Sequence, residues 1–262
     1  MSRAEDFSDN LLFKARPLDE GYNRIVARGE KGLKHLEFGI LHLESGEWSG
    51  ETGDCGQALD IHSGVIRLTT PEAAWKRLGE RPSVFGGPST AVYLPPHVSY
   101  TIGIVEGPVR IAIASAPAPG HDAEPTVIGP EDVAGTRVIA NNVPAAKLIV
   151  SESVLSPGSW SSAHKHDALN PPREVPLEEV CHFRVSPPQG FGVIRIYTGP
   201  NDPGPMDEVY VIEDGDTVVI PRGYHIIGAA PGSTVHCTYA LAGDFRIPGA
   251  IIPDAVHGSI ES

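Results

Sequence analysis

Four residues of this chain have the types and spacing to do metal chemistry. His164 and His166 stand one residue apart, Glu179 opens an apolar run, and His225 directly follows the turn Pro221-Arg222-Gly223-Tyr224. In an extended strand successive side chains project to opposite faces, so His164 and His166 project together and Lys165 projects away from them. The run Glu179-Val180-Cys181-His182-Phe183 would open with an inward carboxylate only if a cation compensated its desolvation. Three neutral imidazoles and one carboxylate form a donor set for one divalent transition metal ion: Zn, Mn, Fe, Co or Ni. Four protein ligands leave two positions of an octahedral ion open, which suits catalysis, whereas a structural zinc site is closed and tetrahedral. The plain alternative makes Glu178 and Glu179 solvated strand-entry residues and His225 a satisfied core histidine.

Other polar residues are candidates to line a pocket. Arg195 and Tyr197 share one strand face while Ile194 and Ile196 share the other, so one face is polar, toward either the pocket or solvent. The planar fork of Arg195 suits a carboxylate, although spacing alone fits a surface arginine equally well. Glu208 and Tyr210 repeat the two-residue spacing, and Glu208 is the candidate catalytic base. Tyr224 adjoins His225 and is the second candidate catalytic residue. Lys165 is expected to face outward and Trp160 to belong to the core. The link from Asp167 to Glu178 is long beside the 2–5 residues usual for a hairpin loop. Asn170-Pro171-Pro172 and Pro176 stiffen it. It is read either as a surface excursion or as a pocket wall, with Arg173 as a second cation for a substrate carboxylate.

The elements that must position these residues are strands. The 262 residues include 29 Gly and 25 Pro, which break many short β-branched runs and point to an all-β fold. Strands are expected at 33–42, 60–70, 92–94, 100–105, 109–114, 137–140, 147–155, 179–185, 193–198, 208–212, 217–220, 225–228 and 234–241. A single helical turn is expected at 71–77, because Pro71 suits a first helical position. Residues 1–20 are polar and expected as a mobile or draped arm, and the tail after Gly243 is expected to pack back or fray. The net charge of −13 disfavours nucleic acid as a partner. Cys55, Cys181 and Cys237 are scattered, which fits a reducing cytoplasm and argues against a cysteine-ligated zinc. No stretch reads as a signal peptide or a membrane span.

The chain also carries an internal repeat. Residues 90–99, with Pro95 and Pro96, match residues 216–225, with Pro221 and Gly223: strand, proline turn, strand. Placing Pro95 on Pro221 puts Ser99 where His225 stands. Two barrels of one kind follow, divided in the 117–125 stretch into 1–122 and 123–262. The first would be degenerate, since His35, His42, His62 and His97 occur singly.

The barrel with its H-x-H pair, glutamate and later histidine resembles the cupin superfamily, whose barrels are jelly rolls. Gly158-Ser159-Trp160-Ser161-Ser162-Ala163-His164-Lys165-His166-Asp167, Pro187-Pro188-Gln189-Gly190-Phe191-Gly192, Arg195-Ile196-Tyr197-Thr198 and Pro221-Arg222-Gly223-Tyr224-His225 look like the 5-deoxy-glucuronate isomerases of bacterial inositol catabolism. Arg81-Pro82-Ser83-Val84-Phe85 and Tyr93-Leu94-Pro95-Pro96 extend the likeness into the first half, and it spans residues 20–245. The chain departs from the family at Ser161-Ser162-Ala163, where a longer proline-containing link is usual. It departs again at Val180-Cys181-His182-Phe183, where aromatic residues are usual. The resemblance implies His164, His166, Glu179 and His225 as metal ligands. It implies interconversion of 5-deoxy-D-glucuronate and 5-dehydro-2-deoxy-D-gluconate through an enediolate or a hydride shift, with Arg195 holding the sugar acid's carboxylate. A metal-dependent oxygenase and a non-catalytic sugar-acid-binding bicupin are the competing readings. Oligomeric state is open, a homo-oligomer included.

Overall fold

β-Branched and aromatic runs, interrupted by glycine and proline, form strands almost throughout. The computed structural model describes residues 10–133, 137–139, 145–166, 176–200, 202, 204–244 and 252–257. In chain order the strands are β1 (Leu12–Phe13), β2 (Gly21–Val26), β3 (Glu37–Leu43), β4 (Glu47–Glu51), β5 (Cys55–Thr69), β6 (Ala74–Leu78) and β7 (Thr90–Leu94). Then come β8 (Ser99–Pro117), β9 (Thr126–Ile128), β10 (Arg137–Ile139), β11 (Ile149–Leu155), β12 (His164–Lys165) and β13 (Leu177–Ser186). The chain ends with β14 (Gly192–Tyr197), β15 (Asp207–Ile212), β16 (Thr217–Ile220), β17 (Tyr224–Ala229), β18 (Thr234–Gly243) and β19 (Ile252–Pro253). Among the described residues, no helix is long and apolar enough to cross a membrane.

The chain forms two compact units. One comprises Pro17–Arg28 and His35–Glu152; the other comprises Met1–Arg16, Gly29–Lys34 and Ser153–Ser262. After the 117–125 stretch the chain returns to the first unit, where β9 adds to β7 through Ala91↔Ile128 and Tyr93↔Thr126. A single cut at residue 122 therefore does not separate the two bodies; the division falls inside β11.

In the first unit β5 and β8 are the long central pair, with β3 and β4 on β8 and β6 and β7 on β5. Inward leucines and isoleucines, among them Leu59, Ile61, Ile102 and Ile113, make its apolar core. Two expectations need correction here. Residues 71–77 are not a helical turn: Leu68↔Trp75 and Thr69↔Ala74 pair β6 with β5, and Trp75 packs against the core. Edge pairing that buries an indole outweighs the local preference of Pro71. The expected strands 100–105 and 109–114 are one strand, β8, which β5 follows through bulges between Ile61 and Ile66.

In the second unit one sheet runs β1–β16–β13–β18 and another β15–β14–β17–β12–β19. The expected N-terminal arm is pinned from Leu11 onward. Leu11 is buried, β1 pairs with β16, and the fully buried Asp216 accepts from Ala15 N–H and Lys14 Nζ, both at 2.8 Å. Only residues 1–9 of that arm lie outside the described residues.

The turn between β16 and β17 delivers His225. Gly223 sits in it at φ +87°, and a Cβ there would lie 2.7 Å from the Tyr197 carbonyl oxygen and 3.2 Å from Met206 Cε. Gly223→Ala should cost about 1–3 kcal/mol from the positive φ and the clash together. The change should appear as a lower urea midpoint at unchanged slope. A wild-type midpoint would show that the turn accepts a side chain.

Candidate metal centre

Glu179 stands on β13 between Ile220 of β16 and Leu241 of β18, in the middle of a sheet. Strand alternation puts it on the face of Leu177, Cys181, Phe183 and Val185, all buried. His225 is the second residue of β17, directly opposite His164 of β12 on one side and Ile196 of β14 on the other. The imidazole centroids are 4.5 Å apart for His164–His225, 4.9 Å for His164–His166 and 6.1 Å for His166–His225. Glu179 reaches across from the facing sheet: its Oε2 lies 3.6 Å from His225 Nε2 and 3.8 Å from His166 Nε2. The four residues predicted as ligands are thus neighbours.

The surroundings favour a cation. Burial pushes the Glu179 carboxyl up to about 8, opposed by a hydrogen bond from Cys181 Sγ at 3.4 Å. Burial, together with the imidazoles of His164 and His166, holds His225 well below the usual histidine range, and burial also lowers His164. The rings are therefore neutral, the form that ligates metal. His164 Nδ1 lies 3.0 Å from the Ser162 carbonyl oxygen. That oxygen can only accept, so Nδ1 carries the proton and Nε2 keeps its lone pair. Glu179 Oε2 and both ring nitrogens of His225 are buried without a hydrogen-bond partner. Buried polar atoms are rarely left so, and a metal ion would satisfy a carboxylate oxygen and an imidazole nitrogen together.

A small recess fronts the cluster, lined by His166, Glu179 and His225 with Leu177, Ile220, Arg222 and Gly223. The Leu177 N–H donates to the His166 carbonyl at 2.7 Å, so the two ends of the long link between His166 and Glu179 meet beside the recess. Arg173 and the rest of 167–175 lie outside the described residues.

The other predicted residues are placed elsewhere. Arg195, Tyr197 and Tyr224 alternate with the inward Ile194, Ile196 and His225, so they occupy the opposite face of the sheet. Arg195 is bidentate to Asp207 at 2.7 and 2.9 Å and lies over the Tyr197 ring at 4.4 Å. Tyr197 stacks on Tyr224 at 5.4 Å. None of the three faces this cluster. Glu208 does share the inward row, opposite Ile196, but it is exposed on β15 with β14 between it and β17. Two strand spacings make about 10 Å, too far for direct proton abstraction beside His225. Lys165 does turn away from the imidazoles, yet it is 9% exposed, bonded to Asp202 at 2.8 Å and seated over Tyr224. Trp160 is not core: it is 48% exposed. Arg222, inside the turn motif itself, was the lining residue that spacing did not single out, because a turn position does not reveal its direction.

The first unit holds another cluster. One ligand atom each of Asp60, His62 and Glu152 meet within 4.8 Å. Arg81 already supplies the cation: its guanidinium donates to both Glu152 oxygens at 2.9 and 2.6 Å and lies 3.5 Å from Asp60. Its Nε donates to the Ile61 carbonyl at 2.9 Å, and Ser89 Oγ donates to Asp60. A divalent ion here would face a guanidinium at contact distance.

Pairing registers locate the counterpart of the histidine cluster in this unit. Gln57 pairs with Leu94, as Glu179 pairs with Ile220. Tyr100 is buried where Ser99 is exposed, so the inward position of His225 belongs to Tyr100 and not to Ser99. Tyr100 OH donates to Gln57 Oε1 at 2.8 Å. Gly50 pairs with Tyr100, as His164 pairs with His225. A Cβ on Gly50 would lie 2.6 Å from Trp48 Cζ3 and 2.9 Å from Tyr100 Cζ. With Tyr22 at 6.2 Å from Trp48, aromatic rings fill the space that imidazoles line in the other unit.

A model of the KduI/IolB family matches residues 11–252. The chain is 31% identical over 247 residues to a 5-deoxy-glucuronate isomerase of Geobacillus kaustophilus, covering 88% of this chain and 87% of that one. It is 33% identical to that of Shouchella clausii, over 82% and 84% of the two chains. An IolB-like protein from Salmonella typhimurium superposes with TM-score 0.88 at 25% identity, over 97% of this chain and all of that one. An oxalate decarboxylase of Lactobacillus farciminis superposes with TM-score 0.63 at 11% identity, over 94% and 88%, a likeness of fold alone. The architecture is all-β, with two cupin-type jelly-roll barrels in one chain.

Removing Arg81 would take the guanidinium from the buried Asp60 and the partly buried Glu152. Arg81→Ala should therefore destabilise the protein by about 3–5 kcal/mol in denaturant unfolding. A loss below about 1 kcal/mol would show that the network is not held by this pairing.

Proposed function

The chain belongs to the KduI/IolB family, and from that premise we propose that it is a 5-deoxy-glucuronate isomerase. It interconverts 5-deoxy-D-glucuronate and 5-dehydro-2-deoxy-D-gluconate, an aldose–ketose isomerisation of inositol catabolism. The observation that carries this reading is the buried, partnerless Glu179 oxygen facing His166 and His225 in a chain so similar to curated isomerases.

His164, His166, Glu179 and His225 would hold one divalent transition ion from among Zn, Mn, Fe, Co and Ni. When bound, such an ion supplies Lewis acidity, which polarises a carbonyl and acidifies the neighbouring C–H. The chain's own contribution is position and exclusion of water. Leu177 and Ile220 supply the apolar part of the recess lining, beside its imidazoles, acid and guanidinium. Arg222, held by its Nη1 on the Gly204 carbonyl at 3.1 Å, is the lining cation suited to a sugar acid's carboxylate. Arg173 belongs to the link that starts and ends beside the recess and is proposed as a second such cation. The first barrel, with Gln57, Tyr100 and Gly50 at the corresponding positions, carries no catalytic ion of this kind. With no disulfide among the described residues, the thiols of Cys55, Cys181 and Cys237 fit a cytoplasmic enzyme.

The test is anaerobic turnover of 5-deoxy-D-glucuronate by metal-loaded protein, followed by NMR of the product. The 5-dehydro-2-deoxy-D-gluconate ketone should form, and His225→Ala should lose both metal and turnover while keeping its β-sheet circular dichroism. An oxygen requirement, or no turnover with metal bound, would sink the isomerase reading. Equal metal in wild type and variant would sink the ligand set.

Arg222→Gln and Arg173→Ala should each raise KM roughly tenfold or more, since a charge-assisted contact is worth about 1.5–3 kcal/mol. Metal content should stay constant. Wild-type KM and kcat in either variant would remove that arginine from the substrate site.

A further inference from the structure

We infer that the C-terminal segment 252–257 is a strap that holds the H-x-H strand in register with His225, and that Tyr197 and Asp254 are its clasp. The inference rests on the ligand set proposed above and adds the positioning residues behind it.

Strand β12 is only His164 and Lys165, too short to hold itself in place. One edge pairs with β17 through His164↔His225. The other edge pairs with β19, through His164↔Pro253 and Lys165↔Ile252, and the Asp254 N–H donates to the Ala163 carbonyl at 3.0 Å. The strap therefore makes an edge strand into an inner one at the residue that carries a ligand.

Asp254 then fixes the strap from both carboxylate oxygens. Oδ1 accepts the backbone N–H groups of Val256 at 2.6 Å and His257 at 3.1 Å, which folds the segment back on itself. Oδ2 accepts the Tyr197 hydroxyl at 2.5 Å. Tyr197 is on β14, and β17 and β12 lie between β14 and β19. The clasp thus spans the outer face of the strands whose inner face presents His225 and His164. The His257 ring meets Tyr197 edge-on at 6.4 Å, and Tyr197 stacks on Tyr224, the neighbour of His225. Tyr197 acts through these strands, without touching the ligands.

The experiment compares full-length wild type, Tyr197→Phe, Asp254→Ala and Asp254→Asn, each loaded with Co(II). Release of Co(II) to a chelator should be about tenfold faster in Tyr197→Phe and Asp254→Ala, the size of effect expected for a hydrogen bond to a charged group. Their visible d–d bands should shift as His164 loosens. Asp254→Asn keeps an oxygen for the two backbone N–H groups and should fall between them and wild type. One Co(II) per chain, lost in His225→Ala, tests the ligand set independently. With that result in hand, wild-type release rates and spectra in Tyr197→Phe would overturn the strap, even if its melting temperature fell.

Discussion

A carboxylate in a dry, apolar interior must be neutralised, and Glu179 imposes that condition on the barrel around it. It stands mid-strand between Ile220 and Leu241, where among the described residues the weak thiol of Cys181 is its hydrogen-bond donor. Relief has to come from the facing sheet, which presents imidazoles. Burial holds His225, and with it His164, below the usual histidine range, which disfavours an ion pair of His225 with the carboxylate. Without a cation the acid keeps its proton, as its raised titration shows, and a shared cation is what would let it ionise beside neutral imidazoles. The geometry of the unit follows: β12, β17 and β13 must be held so that residues far apart in the chain aim at one point.

The other barrel meets the same topological position with different chemistry. Gln57 is an amide where Glu179 is an ionisable acid, so a phenol hydroxyl suffices to satisfy it. Gly50 leaves room for rings of Trp48 and Tyr100 where an imidazole would otherwise stand. Buried charge in that barrel has moved to Asp60 and Glu152, where Arg81 compensates it within the protein. The contrast is physical. An internal guanidinium makes a closed, self-sufficient network, whereas an acid facing neutral imidazoles calls for an external cation.

Strand alternation divides the sheet that carries His164 and His225 into two faces of different character. Inward lie His164, His225 and Ile196. Outward lie Lys165, Tyr224, Tyr197 and Arg195, tied by ion pairs and ring contacts to Asp202, Asp254 and Asp207. The outer layer resembles a binding site in composition, with arginine, tyrosine and carboxylate together. Its polar contacts are directed among its own members and toward segment 252–257, which pairs with the strand of His164.

The amino-acid sequence alone determined the all-β class, the duplication and the four clustered residues. Period-two alternation, proline turns and an acid at the head of an apolar run are local signals whose physical cause lies within a few residues. The proline repeat also aligned the two barrels to within one residue. Only side-chain direction separates Ser99 from Tyr100, and that depends on how the turn is wound. Which face of β14 looks inward was likewise undecided by spacing, since Arg195–Tyr197 and Ile194–Ile196 alternate equally well in either sense; burial of the isoleucines against the facing sheet decided it. The strand nature of 74–78, the unbroken β8 and the pinning of Leu12–Phe13 and Ile252–Pro253 as edge strands all came from partners distant in sequence. Hydrogen bonding along a sheet edge is available to nearly any side chain, so its sequence trace is faint, and the tertiary structure alone assigns the partner.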